Sequence, residues 1–211
     1  MLELKDIAEL YELWCYFEVE AAVSALLGPP AEASAPALDE LGAKLPWSFR
    51  VAWPNAGVEL FYNLSFSRSA KAANRSYSVL LRPDIVLRIA EGRSAGDHLF
   101  DAKFKVQALG DVVPTDPEAV EDEQPERRGV FKRGDLYKMH TYRDALPRAR
   151  TVWILYPGTE LQFFDEADGV IRDAGRVRGD AAGVGAVPLR PGDRKALVEV
   201  VQRLLFANGT E

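Results

Sequence analysis

The chain places charged side chains inside an apolar run near its middle. Residues 97 to 106 form a strand-like segment in which Asp101 and Lys103 stand two positions apart. In a β-strand, residues i and i+2 project to the same face, so these two charges would lie side by side, with Phe100 and Phe104 on the other face. Burying an isolated charge is costly unless it is paired or holds a metal. The segment therefore predicts either a buried ion pair or a functional site.

A second acidic residue belongs to the preceding strand-like run. Asp84 directly follows Pro83, about one hairpin before Asp101. Neighbouring runs of this kind are expected to pair, which would bring the two carboxylates together. Two carboxylates suit Mg²⁺ or Mn²⁺, and Lys103 could orient a metal-bound water or stabilise charge on a phosphate. The alternative is a structural ion pair between Asp101 and Lys103, with Asp84 only opening a turn.

Length and composition predict one domain with a substantial core. The chain has 211 residues, 47% of them hydrophobic, so we expect residues 1–211 to form a single domain. Its one cysteine, Cys15, excludes an internal disulfide framework and a Cys-based zinc cluster. Without an apparent membrane span or secretory signal, a cytoplasmic location is expected. The net charge of −6 disfavours a generally basic surface but allows a local basic groove.

Hydrophobic periodicity predicts three helices and a β-meander that follows the first helix. The first helix spans 2–27 and ends at Gly28, the second spans 134–146 with Asp135 as N-cap, and the last begins at Pro191. Strand-like runs occupy 47–53, 58–67, 77–91, 97–106, 151–156, 160–165 and 170–178. This order predicts an α/β or α+β fold.

The remaining segments are expected to be loops. Residues 28–46 are rich in Ala, Pro and Ser, and the Gly-Ala-Val stretch at 179–187 is short enough for an ordinary loop. Residues 107–130 carry many acidic side chains and few aromatic ones, which predicts a mobile loop able to shield a basic groove. His98 is expected to border its strand.

The order of these residues resembles a known family. Glu12 on the first helix, Pro83-Asp84, then Asp101-Ala102-Lys103, and a following helix with Lys138 and Tyr142 are similar to the motifs of the PD-(D/E)xK nuclease superfamily. Together, these motifs look like the nuclease domain of McrC-like and related restriction-associated proteins. The resemblance implies a restriction-endonuclease-like mixed β-sheet flanked by helices, and hydrolysis of DNA phosphodiester bonds with Mg²⁺ or Mn²⁺.

The resemblance also implies roles for individual residues. Glu12, Asp84 and Asp101 would hold the metal, and Lys103 would be the catalytic lysine. Many relatives carry Gln-x-x-x-Tyr on the helix after the Asp-x-Lys strand, and here Lys138 occupies the Gln position. Nucleic-acid contacts are expected from residues in and after the site: Lys105, Lys138, His140, Tyr142 and Arg143. His140 has the commoner alternative of simple packing or hydrogen bonding.

A wider basic set extends beyond these positions. Its members are Lys103, Lys105, Lys132, Arg133, Lys138, Arg143, Arg148 and Arg150. Such a set suits phosphate contacts, and a solvated helix surface is its alternative explanation.

Two functions from different classes follow. The first is a metal-dependent DNA endonuclease, the nuclease component of a restriction or defence system. The second is a non-catalytic or partner-dependent nucleic-acid-binding or assembly module, such as a subunit that works with an NTP-driven partner. No P-loop or His-Glu-x-x-His motif is present in the sequence, and the absence of a P-loop disfavours an intrinsic NTPase. A homodimer remains open, and no membrane partner is expected.

Overall fold

The computed structural model describes residues 4–34, 48–70, 72–104 and 133–206. Four sequence-based predictions lie outside these ranges: most of the loop at 28–46, the acidic stretch at 107–130, and the basic residues Lys105 and Lys132.

The described ranges contain three α-helices and nine strands. The helices are α1 (Leu4–Leu27), α2 (Arg133–Ala145) and α3 (Lys195–Leu205). The strands are β1 (Glu32–Ala33), β2 (Phe49–Trp53), β3 (Val58–Tyr62), β4 (Ile85–Ile89), β5 (Gly96–Ala102), β6 (Ala149–Tyr156), β7 (Gln162–Asp165), β8 (Gly169–Ile171) and β9 (Gly183–Pro188). Within these ranges, none of the helices combines the length and the apolar character that crossing a membrane requires.

All nine strands join one mixed sheet in the order β1-β2-β3-β4-β5-β6-β9-β7-β8. The first five are antiparallel neighbours, which confirms the predicted meander. Strands β5, β6 and β9 are parallel, and the β7–β8 hairpin adds an antiparallel edge. The parallel β5–β6 pair needs a long crossover, and α2 lies on that connection. The predicted mixed sheet flanked by helices is therefore confirmed.

The helices cover the two faces of this sheet. Helices α1 and α3 pack together on one face, over a core that includes Tyr16 and Phe100. Helix α2 covers the other face, where Met139 packs near Leu99. The central strands are consequently buried on both sides, which explains why their sequences read as continuous apolar runs.

The prediction of a loop at 179–187 is wrong, because Gly183–Pro188 forms β9 in the interior of the sheet. Glycine has a low propensity for β-strands. Here the β7 backbone comes so close that a Cβ on Gly185 would lie 2.6 Å from the Gln162 carbonyl oxygen. Close backbone packing therefore requires a residue type that local propensity assigns to loops.

The third predicted strand is shorter than expected. Only Ile85–Ile89 of the run at 77–91 forms β4, and the large apolar residues Tyr77, Val79 and Leu80 are exposed. The prediction was too long because it was based on apolar character alone, and only part of the apolar run pairs in the sheet.

The predicted N-cap of α2 and the predicted start of α3 differ from the structure. Helix α2 begins at Arg133, so Asp135 lies inside its first turn, where an acid complements the helix dipole, instead of serving as N-cap. Helix α3 begins at Lys195 instead of Pro191. Gly192 follows that proline with φ +82°, a left-handed conformation that makes a turn before the helix.

A buried ion pair joins β4 and β5 at the end where Gly96 starts β5. Arg88 donates from Nε to Asp97 Oδ1 at 2.8 Å and from Nη2 to Asp97 Oδ2 at 2.9 Å. His98 does not border its strand, because it is fully buried within β5. Its Nδ1 lies 2.8 Å from Thr151 Oγ1 and its Nε2 lies 2.9 Å from the Ser94 carbonyl oxygen.

Candidate active site

Two aspartates lie opposite each other where β4 begins and β5 ends. The antiparallel register pairs Ile85 with Phe100, so Asp84 faces Asp101. Asp84 Oδ2 accepts a hydrogen bond from the Ala102 backbone N–H at 2.8 Å, which fixes this carboxylate against β5. Phe100 packs in the core on the α1 face, as the alternation of the strand predicted. The structure therefore brings the two predicted carboxylates together.

Each oxygen of the Asp101 carboxylate accepts a hydrogen bond from a different lysine. Asp101 is fully buried. Lys103, two residues further along the chain, donates to Oδ2, and Lys138 from α2 donates to Oδ1 at 2.8 Å. Burial lowers the pKa of Lys138, but the charge of Asp101 outweighs this effect and raises it, so the lysine stays charged. The two lysine side chains are 24% and 46% exposed and can therefore reach solvent.

Asp84 is the less satisfied of the two acids. Burial, followed by the charges of Asp101 and Glu12, raises the pKa of Asp84 to about 8. Lys103 and the Ala102 N–H lower it only in part. The site thus disfavours a second negative charge in the absence of a further cation. Hard oxygen donors in such a setting suit a divalent metal ion.

Glu12 lies on the α1 side of this pair of aspartates. Its Oε1 accepts a hydrogen bond from the Tyr62 hydroxyl at 2.9 Å. In the part of the chain that the structure describes, no three Asp, Glu, His or Cys side chains come close enough to ligate one metal. Asp84 and Asp101 form the carboxylate pair of the site, with Glu12 as a nearby third acid. Sequence reasoning missed Tyr62, because an aromatic residue in a strand normally indicates core packing.

Lys138 and Tyr142 share one face of α2 beside the carboxylates, as their one-turn spacing predicted. Lys138 Nζ lies 5.2 Å from the centre of the Tyr142 ring. The Tyr142 hydroxyl donates to the Arg82 carbonyl oxygen at 3.3 Å. Burial, with the charges of Asp101 and Asp84, raises the pKa of Tyr142, so its hydroxyl keeps the proton and remains a donor.

Other predicted nucleic-acid contacts are not brought to the carboxylates. Arg143 Nη2 pairs with Glu166 at 2.8 Å, away from the site. His140 is exposed on α2. In the described part of the chain, no hydrogen bond joins it to Asp101. Lys105 lies outside the described ranges.

The members of the predicted basic set whose side chains the structure describes divide between two ends of the sheet. Arg148 lies 3.5 Å from Asp97, and Arg150 donates to the Asp180 carbonyl oxygen at 2.7 Å. Both contacts are at the end of β5 opposite Asp101. Sequence clustering suggested one basic surface, but the strand that follows α2 begins at the far end of the sheet and carries these arginines there.

Comparison with family models gives a match to the PD-(D/E)XK nuclease superfamily over residues 9–161. The match implies nuclease activity on a nucleic acid, and nucleases of this superfamily typically use divalent metal ions. Searches of the curated proteins and of the solved structures gave no significant match. The matched range covers most of the chain, includes both aspartates and agrees with the mixed sheet, so the chain belongs to the PD-(D/E)XK nuclease superfamily.

Proposed function

We propose that the protein is a Mg²⁺-dependent DNA endonuclease that serves as the nuclease component of a cytoplasmic restriction or defence system, as in the McrC-like proteins it resembles. One observation carries the proposal: a fully buried Asp101 lies opposite Asp84 and accepts hydrogen bonds from two lysines of different elements. This group combines metal-binding oxygens with cations that can contact a phosphate.

Asp84 and Asp101 would hold the metal directly, with Glu12 as the outer acid on the α1 side. Two carboxylates suffice for Mg²⁺, which keeps several water ligands and coordinates substrate phosphate. When bound, the ion would activate a water molecule and stabilise negative charge on the phosphate. The raised pKa of Asp84 supports this assignment, because a cation would replace the proton that burial and the neighbouring carboxylates favour.

The chain's own cations and hydroxyl would act on the phosphate. Lys103 is a compact charge on a flexible stem, so its ammonium can turn from Asp101 to stabilise the negative charge that develops as the P–O bond breaks. Lys138 and Tyr142 lie on the same helix face and would position the phosphate by donating to its oxygens. Lys103 is therefore the proposed catalytic lysine, and Lys138 and Tyr142 are proposed binding residues.

A partner-dependent module is the second candidate, and one observation favours it. Tyr77, Val79 and Leu80 are exposed in the segment that leads to Asp84. An exposed apolar segment that precedes a candidate active-site carboxylate in the sequence is a suitable contact for a partner subunit, such as an NTP-driven one that delivers DNA.

Plasmid cleavage with Mg²⁺ or Mn²⁺ tests the proposal on the wild type and Asp101→Ala. We expect the substitution to lower the rate about a thousandfold or more, since it removes a metal ligand worth several kcal/mol in the transition state. Asp193→Ala, which removes an exposed surface aspartate paired with Arg190, should cleave like the wild type.

Three outcomes separate the candidates. Equal cleavage by Asp101→Ala and wild type would overturn the proposed active site. Cleavage of RNA but not DNA would overturn the proposed substrate. A wild type that binds metal through Asp84 and Asp101 but cuts only with a partner present would favour the partner-dependent module.

A further inference from the structure

A cavity rich in arginine lies between the β4–β5 turn, the short 3₁₀ helix Ala174–Arg176 and the end of α3. Its volume is about 350 Å³, within the range of small-molecule binding sites. Four of its lining residues are arginines, and one is acidic: Arg93, Arg176, Arg178, Arg203 and Asp180. The cavity therefore carries an excess of positive charge and suits an anionic ligand.

Three of the four guanidinium groups have no acidic partner in the described ranges. Arg178 Nε pairs with Asp168 at 3.2 Å and with Asp180 at 3.3 Å. No such pair exists for Arg93, Arg176 or Arg203 within those ranges. All three arginines are exposed, so their guanidinium groups are open to solvent and can donate charge-assisted hydrogen bonds to an anionic ligand.

The nearby Asp173 does not fill this role. Its Oδ1 accepts a hydrogen bond from the Gly175 N–H at 2.9 Å, which caps the 3₁₀ helix. Its carboxylate is thus used to hold the backbone that carries Arg176.

The cavity is separate from the candidate active site. Arg93 precedes β5, whereas Asp101 lies near the end of that strand. Seven residues of β-strand extend over roughly 20 Å. A phosphate held at Arg93 therefore cannot be the one that Asp84 and Asp101 would engage.

An exposed aromatic ring narrows the class of ligand. Phe206 lines the same cavity directly after α3 and is 47% exposed. Guanidinium groups bind phosphate oxygens with paired N–H donors, and aromatic rings stack on nucleobases. The combination fits a ligand that contains both a phosphate and a planar base.

We propose that this cavity binds a nucleotide, with its phosphate held by Arg93, Arg176 and Arg203 and its base against Phe206. A free nucleotide and a nucleotide unit within a nucleic-acid strand present the same chemistry. The inference is independent of the proposed nuclease activity, because the cavity contains none of the residues assigned to cleavage.

Isothermal titration of the full chain in metal-free buffer tests the proposal with four probes. The probes are adenosine triphosphate, deoxyadenosine monophosphate, inorganic pyrophosphate and a short single-stranded thymidine oligonucleotide. We expect Arg176→Gln and Arg203→Gln each to weaken nucleotide binding about tenfold or more, because each removes charged hydrogen bonds to phosphate. Arg172→Gln removes an exposed arginine outside the cavity and should leave affinity unchanged.

Phe206→Ala separates base recognition from phosphate recognition. This substitution should weaken the binding of the nucleotides and leave the binding of pyrophosphate unchanged. Tighter binding of the free nucleotides than of the oligonucleotide would identify a small-molecule site, and the reverse order would identify a strand-binding site.

Three results would overturn the proposal. The first is no binding of any probe at millimolar concentration, the second is an equal loss in Arg172→Gln, and the third is nucleotide affinity that Phe206→Ala leaves unchanged. Repeating the titration with Asp101→Ala keeps the two proposals distinct, since loss of cleavage in that variant should not alter nucleotide binding.

Discussion

Two buried aspartates lie four residues apart on β5 and have opposite surroundings. Asp97 is neutralised by the planar guanidinium of Arg88, which donates to both of its oxygens. Asp101 accepts from two lysines of different elements and lies opposite a second acid, Asp84, whose pKa is raised by burial and by neighbouring negative charge. The same strand thus carries a satisfied ion pair at one end and an excess of acid at the other.

The difference shows which buried charges indicate function. A guanidinium fork matched to one carboxylate is rigid, and Arg88 Nη2 is further held by the Ala73 carbonyl oxygen and Asn74 Oδ1. Lysines are flexible point charges that can exchange one anionic partner for another. Burial of a charge is therefore not the distinguishing property. An unbalanced group of like charges, held together by the fold, is the better sign of a ligand site.

The largest expected effect comes from neutralising the two aspartates separately. Asp97→Asn should lower the free energy of unfolding by about 3–5 kcal/mol, because it leaves the buried Arg88 charge without its partner. Asp101→Asn should cost about 1 kcal/mol or less, because it also relieves repulsion with Asp84 and frees two lysines that can reach solvent. Urea denaturation in metal-free buffer measures both changes.

The same pair of variants should separate in activity. Folded Asp97→Asn should cleave like the wild type, whereas Asp101→Asn should be inactive. If Asp101→Asn proved as destabilising as Asp97→Asn, both aspartates would be structural ion-pair residues and the contrast would fail.

Local pattern predicted the elements whose sequence periodicity matches their burial. Helices α1 and α2 follow from the helical spacing of apolar residues, and the β2–β5 meander and β6 follow from short apolar runs. Strand β9 could not be found in this way, because Gly183 and Gly185 are there for close backbone approach to β7. The need for glycine comes from the neighbouring strand β7, which lies outside the short stretch of sequence from which β9 would have to be predicted.

The candidate site shows the same division. Asp84, Asp101 and Lys103 follow from strand spacing and register, and the proximity of Lys138 follows from helical spacing once α2 is placed. The hydrogen bond from Tyr62 to Glu12 joins α1 to β3, so neither local pattern contains it. Resemblance to a family identified Glu12 as a candidate site residue, whereas its partner Tyr62 is identified only by the tertiary structure.

The end of β5 that carries Asp97 and His98 should also determine how far low pH lowers the free energy of unfolding. Burial lowers the pKa of His98 to about 4, the Ser94 carbonyl oxygen and Asp97 raise it in part, and Arg150 lowers it further. The unfolded value is about 6.5. The folded state therefore binds fewer protons between these values. His98 stabilises the fold fully above pH 6.5, and this contribution is lost as pH falls to about 4.

Comparison with His98→Gln isolates this contribution. Relative to the variant, the wild type should lose roughly 3 kcal/mol of unfolding free energy between pH 7 and pH 4, since each pKa unit corresponds to about 1.4 kcal/mol. Urea denaturation at both pH values in metal-free buffer measures the difference. Parallel pH dependence of the two proteins would show that His98 does not resist protonation in the folded state.

The smallest expected effect tests the charge balance at Asp101 directly. Lys138→Gln removes one positive charge beside this carboxylate and keeps a side chain able to donate a hydrogen bond to it. We expect Mn²⁺ to bind about tenfold more tightly in calorimetric titration, because less positive charge opposes the metal ion. Lys195→Gln on the exposed surface of α3 and Asp97→Asn at the far end of β5 should both bind Mn²⁺ like the wild type. Unchanged affinity in Lys138→Gln would mean that the ion does not sense this lysine, and Asp101 would then lose its assignment as a metal ligand.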